Sequence, residues 1–569
     1  MKKIFTSVLI LISFFSFSQV VNLQWAKSSL YLGSGGSVYE IEADPSGNYY
    51  LFGYFMGTQD FDPTLFGTYN MTAGIPFGPY AAYYSDMFVA KFDPSGNLIW
   101  AQKIYADDQN TPGDLSVDAF GNIVVSGTGN PCSASSVNYQ PRPVIAKLNA
   151  STGAIVWKFL ITKSPLRMGA RGFGKAVTSD ASGNVYVTGD IVDTLDFDPG
   201  VGISALSSPN FLTSFAFIAK YNSSSTLAWA YTLEGTSGTS SIGESTCLDN
   251  LGNIYFSGNF NGITDFDIGP STYGFASVGI KDGFLLKTTP NGNFIWAKQI
   301  TCQSGKILTT SVYTDNSNNL YHHGHFFGTV DLDPSPSTYT FNSAGSSFYA
   351  AKLDISGNFQ WAKLLSNANM TVTASRVDKM GNSYMTGSFA GTQDFDPGPG
   401  TYTLSSYGSG DYFILILDSN GNFVWAGNAG DTGFDTGSGI CVDGSGNIYS
   451  TGSGLGDLDP GPSVYTFYPS YNEFVLKLGL SPLKIKNMDN ENKFMVFPNP
   501  TSCQFNLVFD KPKEKTEIKI FNSLGQIVLQ KNISSTDKIS LSISDQPSGI
   551  YFVEVNADGE VFRTKVVKE

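Results

Sequence analysis

Asp44-Pro45-Ser46-Gly47-Asn48, followed by Tyr49-Tyr50-Leu51-Phe52-Gly53, is the stretch whose recurrence decides the fold. Its pattern is Asp, two variable residues, Gly or Asn, then Asn, an apolar run and Gly. The pattern returns at Asp118 to Asn122, Asp180 to Asn184, Asp249 to Asn253, Asp315 to Asn319, Asp378 to Asn382 and Asp443 to Asn447. That makes seven copies, 62 to 74 residues apart. Asp folds its side chain onto the following backbone, and Gly takes the left-handed position that closes a hairpin. Asn318 stands once for that Gly, and Asn is the best substitute at positive φ.

A second hairpin lies between successive copies. Its clearest form is Phe88-Val89-Ala90-Lys91-Phe92, the turn Asp93 to Asn97, then Leu98-Ile99-Trp100-Ala101. The Trp of this hairpin recurs as Trp25, Trp100, Trp157, Trp229, Trp296, Trp361 and Trp425, which are all 7 Trp of the chain. Each repeat therefore reads as four strands, a to d. Continuous apolar runs fit strands buried on both faces. The seventh repeat stops at strand c, Phe474 to Leu478, while the chain opens with an orphan Trp strand, Leu23 to Lys27. The expectation is an all-β chain whose core is a seven-bladed β-propeller of four-stranded blades, its N-terminal strand closing the last blade.

Composition agrees. Only 14% of the 569 residues are charged and 14% are aromatic, whereas disordered chains are charge-rich and aromatic-poor. A net charge of −14 argues against nucleic acid as a partner. Lys2 and Lys3 precede an apolar run from Ile4 to Phe17, and small residues precede Gln19. Residues 1–18 read as a secretory signal peptide, too short for the roughly 20 residues of a membrane span. No later stretch is apolar enough to span, so the mature chain is expected to carry no transmembrane segment. Five Cys make no disulfide framework, and Cys247 and Cys441 occupy equivalent core positions in different repeats.

The repeats, Gln19 to Leu480, resemble the SBBP-type bacterial β-propeller family. The resemblance rests on the strings D-x-x-G-N-x-Y-x-x-G and G-N-x-x-W-A-K, with Tyr at 50, 186, 255, 321, 384 and 449. It implies a fold and an extracytoplasmic setting, not an activity.

Residues 481–492 read as a linker, and the composition then shifts. Residues 484–569 carry a net +1, which leaves −17 on the repeats. Alternation at Phe505, Leu507 and Phe509, Ile518 and Ile520, and Tyr551, Val553 and Val555 predicts an Ig-like β-sandwich over 493–569. Phe497-Pro498-Asn499-Pro500-Thr501, Asn522-Ser523-Leu524-Gly525-Gln526, Pro547-Ser548-Gly549-Ile550-Tyr551 and the ending Lys565-Val566-Val567-Lys568 resemble the type A C-terminal sorting domain of the type IX secretion system. Cys503 stands where that family usually has Gly. The resemblance implies recognition of residues 493–569 by the secretion machinery, and a place at the cell surface or outside the cell.

The leading candidate for chemistry is an acidic motif after strand b, present in six repeats: Asp60 and Asp62, Asp196 and Asp198, Asp265 and Asp267, Asp331 and Asp333, Asp394 and Asp396, and Asp457 and Asp459. In a strand the two Asp share a face, and the charges repel unless neutralised. Three neutralising groups are open. Calcium favours clustered carboxylates, backbone N–H groups of the following turn can bond them, and Lys91, Lys147, Lys220, Lys287, Lys352 and Lys477 recur in strand c. A motif repeated six times reads as a structural device before it reads as six sites. All three His lie in one strand, where His323 and His325 share a face that could hold Zn²⁺ or Cu²⁺. With so few His, a Ser-His-Asp or Cys-His enzyme is poorly supported, and no repeat stands out by gaining a pair of acids.

Binding residues are expected on variable loops. The long connections after strand b carry Phe77, Tyr80, Tyr83 and Tyr84 in the first repeat and Phe467, Tyr468 and Tyr471 in the last. These rings could stack on a glycan or anchor a surface protein. Tyr69, Tyr273, Tyr339, Tyr402 and Tyr465 recur in register and are assigned to structure. The reading is an exported, non-catalytic binding or scaffolding protein. The alternatives are an extracellular carbohydrate-active enzyme and a calcium-stiffened adhesin.

Overall fold

The structure, a computed structural model, describes residues 19–28, 35–64, 67–74, 85–105, 110–129, 140–163, 170–210, 212–236, 238–365, 369–461, 464–467, 473–482, 494–513, 516–522, 527–534, 536–557 and 560–568. These residues are all-β, with no α-helix among them. The chain forms two compact units, Met1–Ser481 and Pro482–Glu569.

The first unit is built from antiparallel four-stranded meanders, numbered one to seven by their first strands: Gly36–Ala43, Thr111–Val117, Arg171–Ser179, Ser240–Leu248, Lys306–Thr314, Met370–Val377 and Thr436–Val442. Sheets four and five are joined by a short ladder at Thr301 and Cys302. The others are separate hydrogen-bonded sheets. In the seventh, the fourth strand is the N-terminal segment Gln19–Ser28, beside Glu473–Pro482.

The turns form as their sequence dictates. Asp44 Oδ1 accepts from the Ser46 and Asn48 N–H groups at 3.0 Å each, and Gly47 sits at φ 81°. Asn318 takes the same left-handed conformation at φ 62°. Strands b and c, such as Tyr49–Phe55 and Asp86–Phe92, are buried almost throughout.

Hydrophobic clusters fill the junctions between neighbouring sheets. Tyr50, Phe52 and Val89 of sheet one pack on Leu115 and Ile123 of sheet two. The same holds from two to three, three to four, four to five, five to six and six to seven. Cys441, Tyr449 and Val475 of sheet seven pack on Tyr49, Leu51 and Phe92 of sheet one.

The strand c lysines correct one expectation. They do not serve the repeated acidic motif; they turn to the Asp of the first hairpin. Lys147 Nζ lies 2.7 Å from Asp118 Oδ2, Lys287 3.2 Å from Asp249 and Lys352 3.6 Å from Asp315. Each of these amines except that of Lys147 stacks over the repeat's Tyr ring and donates to a carbonyl in the c–d turn of the next sheet. Lys220 bonds Pro290 and Lys352 bonds Ser419. In sheets three and five the neighbouring Trp donates to the same carbonyl, Trp229 to Pro290 and Trp361 to Ser419, whereas Trp296 Nε1 has no hydrogen-bond partner among the described residues.

The second unit has two sheets. One holds Phe494–Phe497, Gln504–Lys513 and Thr536–Ser542; the other holds Thr516–Phe521, Ile527–Ile533, Gly549–Ala557 and Glu560–Lys568. Phe505, Leu507, Ile518, Ile520, Val553, Val555 and Val566 form one core shared by both.

Candidate functional site

Every first strand carries a β-bulge at the same place. The extra residue falls between Val38 and Glu40, Pro112 and Asp114, Gly174 and Ala176, Gly243 and Ser245, Thr309 and Ser311, Val372 and Ala374, and Gly437 and Gly439. A bulge breaks the in-and-out alternation and re-aims side chains. Tyr39 and Glu40, consecutive in sequence, both line one cavity of about 1460 Å³ walled by all seven first strands.

Small hydroxyl residues recur around this cavity, among them Ser116, Ser245, Thr246, Ser311, Thr373, Ser375 and Ser438. The charged residues are the exceptions. Lys175 Nζ reaches Glu244 Oε2 at 3.5 Å across sheets three and four. Arg376 pairs with Glu42 across sheets six and one, and its guanidinium stands 5.6 Å over the Tyr313 ring. Glu40 and Asp114 have no cation of their own. Desolvation pushes Glu40 up to about 7, with Arg376 opposing. Desolvation and then the Glu40 charge push Asp114 up to about 8, against N–H bonds from Val177 and Leu115. Tyr39 and Tyr313 lie within electrostatic reach of both carboxyls.

This cluster was missed by the sequence reading, which found no repeat gaining a pair of acids. Glu40, Glu42 and Asp114 are such gains. Their only sequence signal is an acidic residue on strand a where most other repeats place an uncharged one.

Two of the three histidines, His322 and His323, are core residues, while His325 is half-buried and lines the cavity. His322 and His323 are fully buried, and burial lowers both to about 3. His323 Nδ1 lies 3.0 Å from Ser375 Oγ, and His325 Nε2 lies 3.0 Å from the Val372 carbonyl. A Ser-His pair with so unfavourable an imidazolium is a poor proton relay.

The repeated acids cap small hairpins. Asp60 Oδ1 accepts from the N–H groups of Asp62 at 3.0 Å and Tyr69 at 2.7 Å, and Asp62 Oδ1 accepts from Thr64. Asp196 with Asp198, Asp265 with Asp267, Asp331 with Asp333, Asp394 with Asp396, and Asp457 with Asp459 repeat the arrangement. The residue between each pair, Phe61 for example, is buried. The in-register tyrosines pack on strand d, Tyr402 at 4.7 Å from Phe423 between ring centres. Phe77, Tyr80, Tyr83, Tyr84, Tyr468 and Tyr471 lie outside the described residues. Phe467 lies in the short strand Thr466–Phe467, with its side chain outside the description.

In the second unit the expected motifs meet. Asn499 Nδ2 donates to the Lys565 carbonyl at 2.8 Å, and Val567 N–H donates to Asn499 Oδ1 at 2.9 Å. The buried Lys568 amine donates to the carbonyls of Ile543 at 3.0 Å, Ser544 at 2.9 Å and Gln546.

Residues 495–569 match the secretion system C-terminal sorting domain. Over 446 residues the chain is 24% identical to an uncharacterized WD repeat-containing protein of Acanthamoeba polyphaga mimivirus, across 66% of this chain and 31% of the viral one. The chain thus spans about a third of the length of that relative. An ulvan lyase of a polysaccharide lyase family is 10% identical, covering 74% of this chain and 93% of its own, with a TM-score of 0.36. A leech intramolecular trans-sialidase is 7% identical, covering 81% and 94%, with a TM-score of 0.34. The sorting domain makes the chain a substrate of type IX secretion, exported to the cell surface or the extracellular space.

Proposed function

We propose that the first unit is a closed seven-bladed β-propeller, that the second is an Ig-like sandwich, and that the exported protein is a non-catalytic binding platform outside the cell. The observation that carries the closed ring is its seam. Trp25 and Lys477 of sheet seven both donate to the Pro94 carbonyl of sheet one. Trp100 and Lys91 donate to Ala150 of sheet two in the same way. The last junction uses the contacts of the others. Such a ring is a rigid support for a central channel and for the loops at its mouth.

Calcium remains a candidate ligand of the paired acids, with their Oδ2 atoms as the oxygens it would meet. The test of the binding role is a glycan and surface-protein array probed with the mature chain, with calcium and with chelator. Specific capture supports the reading, and blank arrays in both conditions overturn it.

A second reading, a carbohydrate-active enzyme, is favoured by the Glu40 and Asp114 pair alone. Glycoside cleavage uses two carboxyl groups, one of them held protonated near neutral pH. Turnover on a polysaccharide panel, abolished in Glu40→Gln, would establish it.

A further inference from the structure

We propose that the cavity between the seven first strands binds an oligosaccharide carrying a free amino sugar, its ammonium group seated between Glu40 and Asp114 and a sugar ring on Tyr39. The inference rests on the binding role proposed above and names its ligand class.

The charges beside Glu40 and Asp114 point to an ammonium; a further lysine of the cavity lining, Lys379, lies near Cys247 of sheet four. Lys175 is paired with Glu244, and Arg376 with Glu42. Glu40 and Asp114 line the same cavity, and neither has a salt-bridge partner among the described residues. The groups around them are Arg376, Tyr39, Tyr313, Lys175 and Glu244, and neither cation is free. An incoming ammonium relieves their mutual repulsion and donates charge-assisted hydrogen bonds to their oxygens.

The walls point to a sugar. Tyr39 is 53% exposed although it lines the cavity, so a ring face is open there. Tyr313 already carries the Arg376 guanidinium on its ring, which leaves Tyr39 to receive a ligand. The neighbouring Ser and Thr residues offer further donors and acceptors. A volume of about 1460 Å³ exceeds the roughly 300–1,000 Å³ of a usual small-molecule site and suits several sugar units.

Titration calorimetry with the mature full chain tests the inference. The probes are a glucosamine hexamer, its fully N-acetylated counterpart, and spermidine. The hexamer is expected to bind, and acetylation to weaken binding roughly tenfold or more, because the charge-assisted bonds are lost. Spermidine is expected to bind more weakly than the hexamer, since it lacks hydroxyls and a ring to stack. Glu40→Gln with Asp114→Asn should abolish the preference for the free amine. Tyr39→Ala should weaken the hexamer about fivefold with an unchanged melting temperature. Equal affinity for the two hexamers, or no binding of the free-amine hexamer, overturns the inference. Spermidine binding as tightly as the hexamer overturns its sugar part. A positive array without amino-sugar capture refutes this ligand and leaves the binding role standing.

Discussion

Lys147 is the strand c lysine paired most closely with the Asp of its own hairpin. Val124 stands where other repeats place the Tyr that shares the hairpin Asp, so the amine sits on the carboxylate itself. It is 2.7 Å from Asp118, with side-chain exposures of 6% and 0%. Removing one partner of a buried pair leaves an uncompensated charge. Lys147→Met should therefore cost about 3–5 kcal/mol in urea unfolding, and adding Asp118→Asn should recover much of the loss. A second residue-scale prediction concerns pH. Glu40 and Asp114 bind protons more tightly folded than unfolded, so the stability they supply is present below the ordinary carboxylate range. It is lost as pH rises through about 7 and 8. Asp190, raised to about 7 chiefly by desolvation, adds in the same direction. His322 and His323 act oppositely, losing stability as pH falls below about 6.5 toward 3. Stability measured from pH 6.5 to 8.5 should fall, and the slope should shrink in Glu40→Gln with Asp114→Asn. An unchanged slope would mean that the pair titrates normally. The hairpin Asp, Gly and Asn roles were readable because turn chemistry is local. Glu40 and Asp114 were not, because their convergence depends on which strands the repeats place side by side.

At the scale of elements, an irregularity in the repeat explains itself. Lys91, Lys147, Lys220, Lys287, Lys352 and Lys477 occupy one position of strand c, and Ile416 occupies it in sheet six. A latch needs a carbonyl from the c–d turn of the next sheet. Sheet seven has no such turn, because its fourth strand comes from the N-terminus. With no acceptor, a buried amine would be a liability, and Ile416 joins the apolar cluster with Tyr384 and Leu478 instead. The acidic motif was legible as a repeated pattern, but its hairpins were not, because their strands are only two or three residues long. Asp331→Ala should release the N–H groups of Asp333 and Tyr339, cost about 1–3 kcal/mol, and raise hydrogen exchange at those amides. Chelator should leave the melting temperature of the natural chain unchanged. A fall of several degrees would assign the neutralising role to calcium. In the sorting domain, Lys568 ties the end of one strand to three carbonyls of another segment. Lys568→Met should loosen that clasp, and the exported fraction should drop while the cell-retained pool rises.

For the whole molecule the decisive element is Gln19–Ser28. Repeat counting found it because a Trp strand without a partner at one end matched a missing strand at the other. Deleting it bares the edge of Glu473–Pro482 and removes Trp25 from Pro94, so the melting temperature should fall and the protein should associate through the exposed strand. A rearranged chain separates closure from mere loss of residues. If Gln19–Ser28 is moved to follow Leu480 through an Asp-Pro-Ser-Gly-Asn turn, sheet seven acquires the c–d hairpin that the other six possess. The melting temperature should then match the natural chain. The new turn also offers sheet six the carbonyl it lacks. Ile416→Lys should destabilise the natural chain more than the rearranged one, by roughly 1 kcal/mol in a double-mutant cycle. Equal cost in both chains would mean that the lysine latch does not depend on the neighbouring turn. A coupling would show that one strand, taken from the start of the sequence to finish the ring, also fixed the composition of the sheet beside it.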